Sequence, residues 1–149
     1  DPLWSRGLGD VYKRQVAGLL PPGQQVSFID IGSGLGGLVL NLARQRPDGR
    51  FVGIEIAPLP WLVSTVRARL GGSAARFERG DYGRLNFADY DVVFAYLSPA
   101  AMPALWRKAK AEMRSGTLLL SYEFIIPEAA PDIVLSPDNS GTRLYGWRL

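Results

Sequence analysis

Two carboxylates and a cluster of glycines are the residues of this chain whose types and spacing could do chemistry. The run Phe28-Ile-Asp-Ile-Gly-Ser-Gly-Leu-Gly-Gly37 carries Asp30 just ahead of Gly32, with Gly34, Gly36 and Gly37 following, and the run Phe51-Val-Gly-Ile-Glu55 ends in a second acid. An apolar stretch that opens into glycines reads as a strand, a tight turn and a helix start. Without Cβ atoms, such a turn lets the backbone pass close to a ligand and aims N–H groups at it from the helix N-terminus. Glu55 closes the next apolar stretch, in the window of roughly twenty residues where an acid reaches the ribose hydroxyls of a bound nucleoside. Asp30, Gly32, Ser33, Gly34, Gly36 and Glu55 together read as a cradle for a nucleotide-type cofactor.

Two glycine spacings coexist. Gly32, Gly34 and Gly37 fit the G-x-G-x-x-G of dinucleotide sites, whereas Gly32, Gly34 and Gly36 fit the G-x-G-x-G of S-adenosylmethionine (SAM) sites. A carboxylate at position 30 repels a pyrophosphate and attracts a sulfonium cofactor that also carries an ammonium group, which favours SAM over NAD. The competing structural reading is an ordinary strand-to-helix turn in which Asp30 caps the helix. That reading does not account for Glu55. An NAD(P)-dependent reductase is a further rival, but a short-chain reductase needs Tyr-x-x-x-Lys, and none of the six tyrosines has lysine four residues later.

The elements that must hold these residues follow from periodicity. Val16 to Leu20 reads as the tail of a helix stopped by Pro21-Pro22-Gly23. Strands are expected at Val26 to Ile31, Arg50 to Glu55, Ala75 to Glu78, Asp91 to Tyr96 and Thr117 to Tyr122. Between them lie helices from about Gly36 to Arg46, with Leu38, Val39, Leu42 and Ala43 inward, and from Leu59 to Leu70, with Leu59, Leu62, Val63, Val66 and Leu70 as the buried stripe. A last helix from Pro99 to Arg114 turns Met102, Leu105, Trp106, Ala109 and Met113 inward and leaves Arg107, Lys110 and Arg114 as a solvated basic stripe. Ile133 to Leu135 and Thr142 to Leu149, joined by the turn-rich Ser136 to Gly141, form a closing hairpin. The fold class is α/β: a doubly wound, mostly parallel Rossmann-like sheet with a C-terminal antiparallel hairpin.

Residues 1–15 show neither helical nor strand periodicity and lack an initiator methionine, and the run Gly-Leu-Gly-Asp-Val-Tyr-Lys-Arg-Gln15 resembles a translated sequencing adapter. They are read as a non-native or disordered arm, leaving residues 16–149 as one N-terminally truncated domain. The chain has 149 residues, a net charge of +3, and no cysteine or histidine. Thiolate nucleophiles, disulfides, zinc sites of the Cys/His kind and imidazole acid–base catalysis are therefore excluded. The charge is too small to argue for a nucleic-acid partner. No apolar stretch approaches the roughly twenty residues of a membrane helix, and the expected location is the cytoplasm.

Asp30-x-Gly32-x-Gly34-x-Gly36, Glu55, the Gly80-Asp81-Tyr82 beyond the third strand and the terminal hairpin resemble the class I SAM-dependent methyltransferases. Pro60-Trp-Leu-Val63, Asp91-Val-Val-Phe-Ala-Tyr-Leu97 and Ser121-Tyr-Glu-Phe-Ile-Ile-Pro127 narrow the resemblance to the small methyltransferases related to the ATP synthase c-subunit lysine methyltransferases. The resemblance implies that Asp30 and the glycine turn hold the methionine part of SAM, Glu55 the ribose, Asp81 the adenine amino group with Tyr82 beside the ring, and that Tyr96 and Leu97 border the acceptor channel. Glu123 has two readings, a base near the acceptor and an exposed strand-end glutamate; the second of these, Asp81 as a turn cap and Tyr96 as a rim aromatic are the plainer readings. Tyr96-Leu-Ser-Pro99 departs from the Asn/Asp-Pro-Pro-Tyr of adenine and glutamine amino-methylating enzymes. Methyl transfer to an acceptor that is already nucleophilic remains, and the family resemblance points to a protein lysine amine. For that reaction, alignment and desolvation supply most of the rate, so no dedicated base is needed. A non-catalytic SAM-binding or scaffold domain is the alternative.

Overall fold

Strand β1 (Ser27–Ile31) lies inside a seven-stranded sheet and sets what each face of it holds. Its side chains alternate between faces. Phe28 joins one buried cluster with Phe51, Phe94 and Leu120, while Ile29 and Ile31 join the other with Val52, Ile54 and Leu119. Asp30 shares the Phe28 side by the same period, so its carboxylate is placed among apolar residues. The computed structural model describes residues 3–23, 25–136 and 142–149.

Helix α1 (Leu3–Leu19) leads into β1, and α2 (Gly37–Gln45) connects β1 to β2 (Arg50–Glu55). Helix α3 (Pro58–Leu70) joins β2 to β3 (Arg76–Arg79), and two single 3-10 turns separate β3 from β4 (Val92–Ala95). Helix α4 (Met102–Glu112) precedes β5 (Leu118–Tyr122), and β6 (Ile133–Leu135) and β7 (Leu144–Arg148) close the chain. The strand order is β3-β2-β1-β4-β5-β7-β6. The first five strands pair in parallel, and β7 lies antiparallel between β5 and β6. This is the expected doubly wound sheet with its antiparallel end. The order reverses between β1 and β4, the crevice where open α/β sheets bind ligands. No helix among the described residues is long and apolar enough to cross a membrane.

Leu38, Val39, Leu42 and Ala43 of α2 are buried as the periodicity predicts, and so are Met102, Leu105, Ala109 and Met113 at the α4 side. Three expectations need correction. The helix expected at Val16 to Leu20 reaches back to Leu3, so residues 3–15 do have regular structure. Tyr12, Val16 and Leu20 recur every four residues, and Tyr12 packs with ring centroids 6.0 Å from Phe94 and 4.7 Å from Tyr122 while Val16 and Leu20 are buried. That stripe outweighs the roughly 1 kcal/mol that each of Gly7 and Gly9 costs inside a helix. The buried stripe of α3 is also wrong: Leu59, Leu62, Val66 and Leu70 are 68%, 49%, 45% and 84% exposed, and Ser64 and Ala68 are its buried residues. Helix α3 lies over the sheet's edge and against the glycine turn, where a close approach admits only small side chains. The single helix expected from Pro99 to Arg114 is instead a 3-10 turn, Pro99–Ala101, followed by α4. Most of the connection expected at Ser136 to Gly141 lies outside the described residues.

Candidate cofactor and acceptor site

At the carboxyl end of β1, Asp30 is in register with Gly53 of β2 and Phe94 of β4. Its carboxylate is buried, and no described residue donates a hydrogen bond to it. Burial and then the nearby Glu55 carboxylate push its pKa well above the ordinary aspartate value. Asp30 does not cap α2. The N-cap of that helix is Gly36, without a side-chain hydrogen bond, so the first N–H groups of α2 keep their donor capacity.

The glycine turn is clasped to β2. The Gly32 and Ser33 N–H groups both donate to the Ile54 carbonyl at 2.9 and 3.0 Å, and Gly36 N–H donates to the Ser33 carbonyl at 2.9 Å. Gly36 has φ +85, and a Cβ there would lie 2.6 Å from Phe77 Cζ and 2.9 Å from Ser64 Cβ, so both conformation and space demand glycine. Gly34 also has positive φ, +56, but a Cβ there would meet nothing within 4 Å. It faces the open side of the cradle. Ser33 sits over Gly53, where a Cβ would come within 2.7 Å of it. Its hydroxyl is buried without a partner among the described residues, an arrangement that costs free energy until a ligand or water satisfies it.

Glu55 spans the turn from the end of β2. One carboxylate oxygen accepts from Gly34 N–H at 2.9 Å and the other from Ala57 N–H at 3.1 Å. Beyond β3, the exposed Asp81 accepts from Gly83 N–H at 3.2 Å and so caps its own 3-10 turn, the plainer of its two readings, with Oδ2 left over. Tyr82 is half-buried, stacked 6.1 Å from Phe87, and burial followed by the Asp81 charge raises its pKa.

The exit of β4 borders the turn. Leu97 Cδ2 and the Tyr96 carbonyl oxygen both lie 3.9 Å from where a Gly32 Cβ would be. Half-exposed Tyr96 donates its hydroxyl to Glu123 Oε2 at 2.7 Å, and that bond, ahead of burial and of the Glu123 charge, pushes the phenol up to about 12. Glu123 has φ +78, the one positive φ among the described non-glycine residues. Such a backbone costs on the order of 1–2 kcal/mol and persists because its surroundings fix it. Here Glu123 N–H donates to the Arg143 carbonyl at 2.7 Å, and the buried Ser121 hydroxyl donates to the Phe124 carbonyl at 2.6 Å. The structure therefore brings Asp30, Gly32, Ser33, Gly34, Gly36, Glu55, Tyr96 and Leu97 to one crevice, with Asp81 and Tyr82 at the end of the neighbouring edge strand. Sequence reasoning missed the packing of Tyr12 against Phe94 and Tyr122. The four-residue spacing of Tyr12 to Val16 and Leu20 was the available signal.

A family model described as the ANTKMT methyltransferase domain matches residues 30–133, from the cradle acid to the terminal hairpin. The chain belongs to this family. The ANTKMT-type domain is 34% identical to the ATP synthase c-subunit lysine N-methyltransferase of Mus musculus over 70% of this chain and 42% of that protein. The Rattus norvegicus protein of the same name is 34% identical over 81% of this chain and 60% of its own length. The chain thus spans about half the length of these curated relatives. An RNA methyltransferase of Salinibacter ruber, solved with S-adenosyl-L-homocysteine, superposes with a TM-score of 0.82 at 27% identity, covering 96% of this chain and 90% of that one. The cofactor of this methyltransferase domain is SAM, and the dinucleotide alternative falls away.

The residues present fit that cofactor. A buried acid without a donor, an uncapped helix N-terminus and a second acid across the glycine turn offer partners for an ammonium, a carboxylate and a pair of hydroxyls.

Proposed function

We propose that this chain transfers a methyl group from SAM to the side-chain amine of a protein lysine. The observation that carries the reading is the 34% identity to two lysine N-methyltransferases, together with a β4 exit that lacks the Asn/Asp-Pro-Pro-Tyr sequence. When bound, SAM supplies a methyl group activated by its sulfonium and open to in-line attack by a nucleophile.

The chain's own residues bind and orient. Asp30 pairs with the cofactor's ammonium group, and the Gly32–Gly36 turn and the first N–H groups of α2 receive its carboxylate. Glu55 exchanges part of its bonding to the turn for the ribose hydroxyls. Asp81 takes the adenine amino group through its spare oxygen, with Tyr82 along the ring. Tyr96 and Leu97 hold the acceptor over the turn and exclude water from it.

The test is calorimetric titration of SAM into the chain and its Asp30→Ala and Glu55→Ala variants, followed by mass spectrometry of a lysine-bearing peptide incubated with SAM. Binding that is lost in both variants and lysine-dependent methylation support the reading. Cofactor binding with no transfer to any acceptor favours a scaffold instead. A second reading, methylation of RNA, is favoured by the likeness to the Salinibacter ruber protein. Labelled methyl appearing in RNA and not in peptide would select it.

A further inference from the structure

The aromatic cluster beyond β4 and β5 has a carboxylate set into it by a strained backbone. Tyr96 stands edge-on to Tyr122 at 5.1 Å and 6.5 Å from Phe124, and its hydroxyl bonds Glu123 Oε2. The other oxygen, Oε1, accepts no hydrogen bond from the described residues. Tyr96 and Glu123 are exposed, and the main chain of Tyr96 adjoins the glycine turn, so the cluster opens beside the cradle. With its left-handed backbone, Glu123 reaches Tyr96, beyond the exit of β4.

A carboxylate with one oxygen unpartnered among the described residues, held by the hydroxyl of a half-exposed tyrosine, suits a cation on an apolar stem. Ring faces attract an alkylammonium and pack against its methylenes, while the carboxylate accepts its N–H groups. We infer that Tyr96 and Glu123, backed by Tyr122 and Phe124, form the acceptor subsite, with Glu123 receiving the ammonium of the incoming lysine and the Tyr96 ring its stem. This assignment rests on the lysine reading above and names the residues that would select the acceptor. Tyr96 acts by holding the Glu123 carboxylate in place and by its ring face. The docked ammonium gives one proton to solvent before its nitrogen can attack the methyl group, and neither residue is assigned that transfer.

The experiment uses the whole chain with isotope-labelled tyrosine rings, titrated by NMR with Nα-acetyl-lysine N-methylamide and with its uncharged norleucine counterpart. Each titration is run with and without S-adenosylhomocysteine, whose own binding is measured by calorimetry. The expected result is movement of the Tyr96 and Tyr122 ring signals with the lysine probe alone. Glu123→Gln is expected to raise the half-saturating concentration about fivefold, the effect of losing one partly exposed charge partner. Tyr96→Phe, read at Tyr122, weakens binding about twofold, and unchanged S-adenosylhomocysteine affinity shows both variants folded. Equal movement with the norleucine probe, an unmoved curve in Glu123→Gln, or no ring responding at about 50 mM probe overturns the assignment. Failure of S-adenosylhomocysteine to bind would instead strike the cofactor reading, and the lysine titration would still answer on its own.

Discussion

Replacing Gly36 and Gly34 separately by alanine tests whether the cradle is read correctly, because the two glycines are present for different reasons. Both have positive φ, so each alanine pays roughly 1–2 kcal/mol for a left-handed backbone. At Gly36 the new Cβ also meets Phe77 Cζ at 2.6 Å and Ser64 Cβ at 2.9 Å. The Phe77 ring can tilt, but Ser64 is buried on α3 and cannot move without the helix. Overpacking of that kind adds about 1–3 kcal/mol, for a total of about 2–5 kcal/mol. At about 2–4 °C per kcal/mol for a chain of this size, Tm falls by about 4–20 °C. Gly34→Ala meets nothing within 4 Å and loses only the strain term, about 2–8 °C. In the proposed binding mode its Cβ enters the cofactor's space, so SAM affinity is expected to fall by more than about tenfold. The assay is a pair of thermal melts and a pair of calorimetric titrations. Equal melting temperatures for the two variants, or full SAM affinity in Gly34→Ala, would refute the reasoning.

Asp30→Asn should stabilise the free protein and weaken cofactor binding together. Burial raises Asp30 in the folded state, so this group favours folding most below the ordinary aspartate pKa, and its contribution declines as pH rises towards the raised native value. The asparagine variant therefore melts higher at neutral pH while losing SAM affinity more than about tenfold; identical pH–stability curves for variant and parent would count against it. Glu55→Gln keeps one acceptor for the turn but loses the charge, and is expected to lower SAM affinity by about 1.5–3 kcal/mol with a small change in Tm, read by calorimetry and melting. On α3, Leu70→Arg is expected to leave stability within about 0.5 kcal/mol, whereas Ala68→Leu destabilises by about 1–3 kcal/mol in denaturant unfolding, the reverse of what hydrophobicity alone ranks.

Much of this molecule was legible because its central strands are buried on both faces and bounded by turns. Arg50 to Glu55 needed no more than an apolar run between Asp48-Gly49 and a proline-rich start, and α2 showed its inner face in Leu38, Val39, Leu42 and Ala43. Helix α3 misled for a reason that periodicity cannot express. A moment reports which face is apolar, not how near the neighbouring backbone lies, and beside Gly36 the distance selects Ser64 and Ala68 over leucine. In the candidate site, Asp30, the glycines and Glu55 were legible as one crevice because a strand-end acid, a left-handed turn and an acid bonded across it each favour one residue type. Glu123 was not, because its role depends on a backbone angle and on a tyrosine 27 positions away in sequence.

The groups left unsatisfied in the cradle call for opposite charges within one small volume. Asp30 is a buried acid whose burden is increased by Glu55, and a bound cation relieves both terms while leaving the carboxylate ionised. A few residues away, α2 begins without a side-chain cap, and its N–H groups are relieved by an anion. A pyrophosphate answers the second need and aggravates the first. A zwitterion answers both, provided its ammonium and carboxylate are as close as the two ends of an amino acid. The methionine part of SAM has that spacing, and Glu55, bonded across the turn, is the residue proposed for the sugar. The choice of cofactor therefore does not hang on the number of residues between glycines, which fits two classes here. It hangs on Asp30 being held where solvent cannot stabilise its charge.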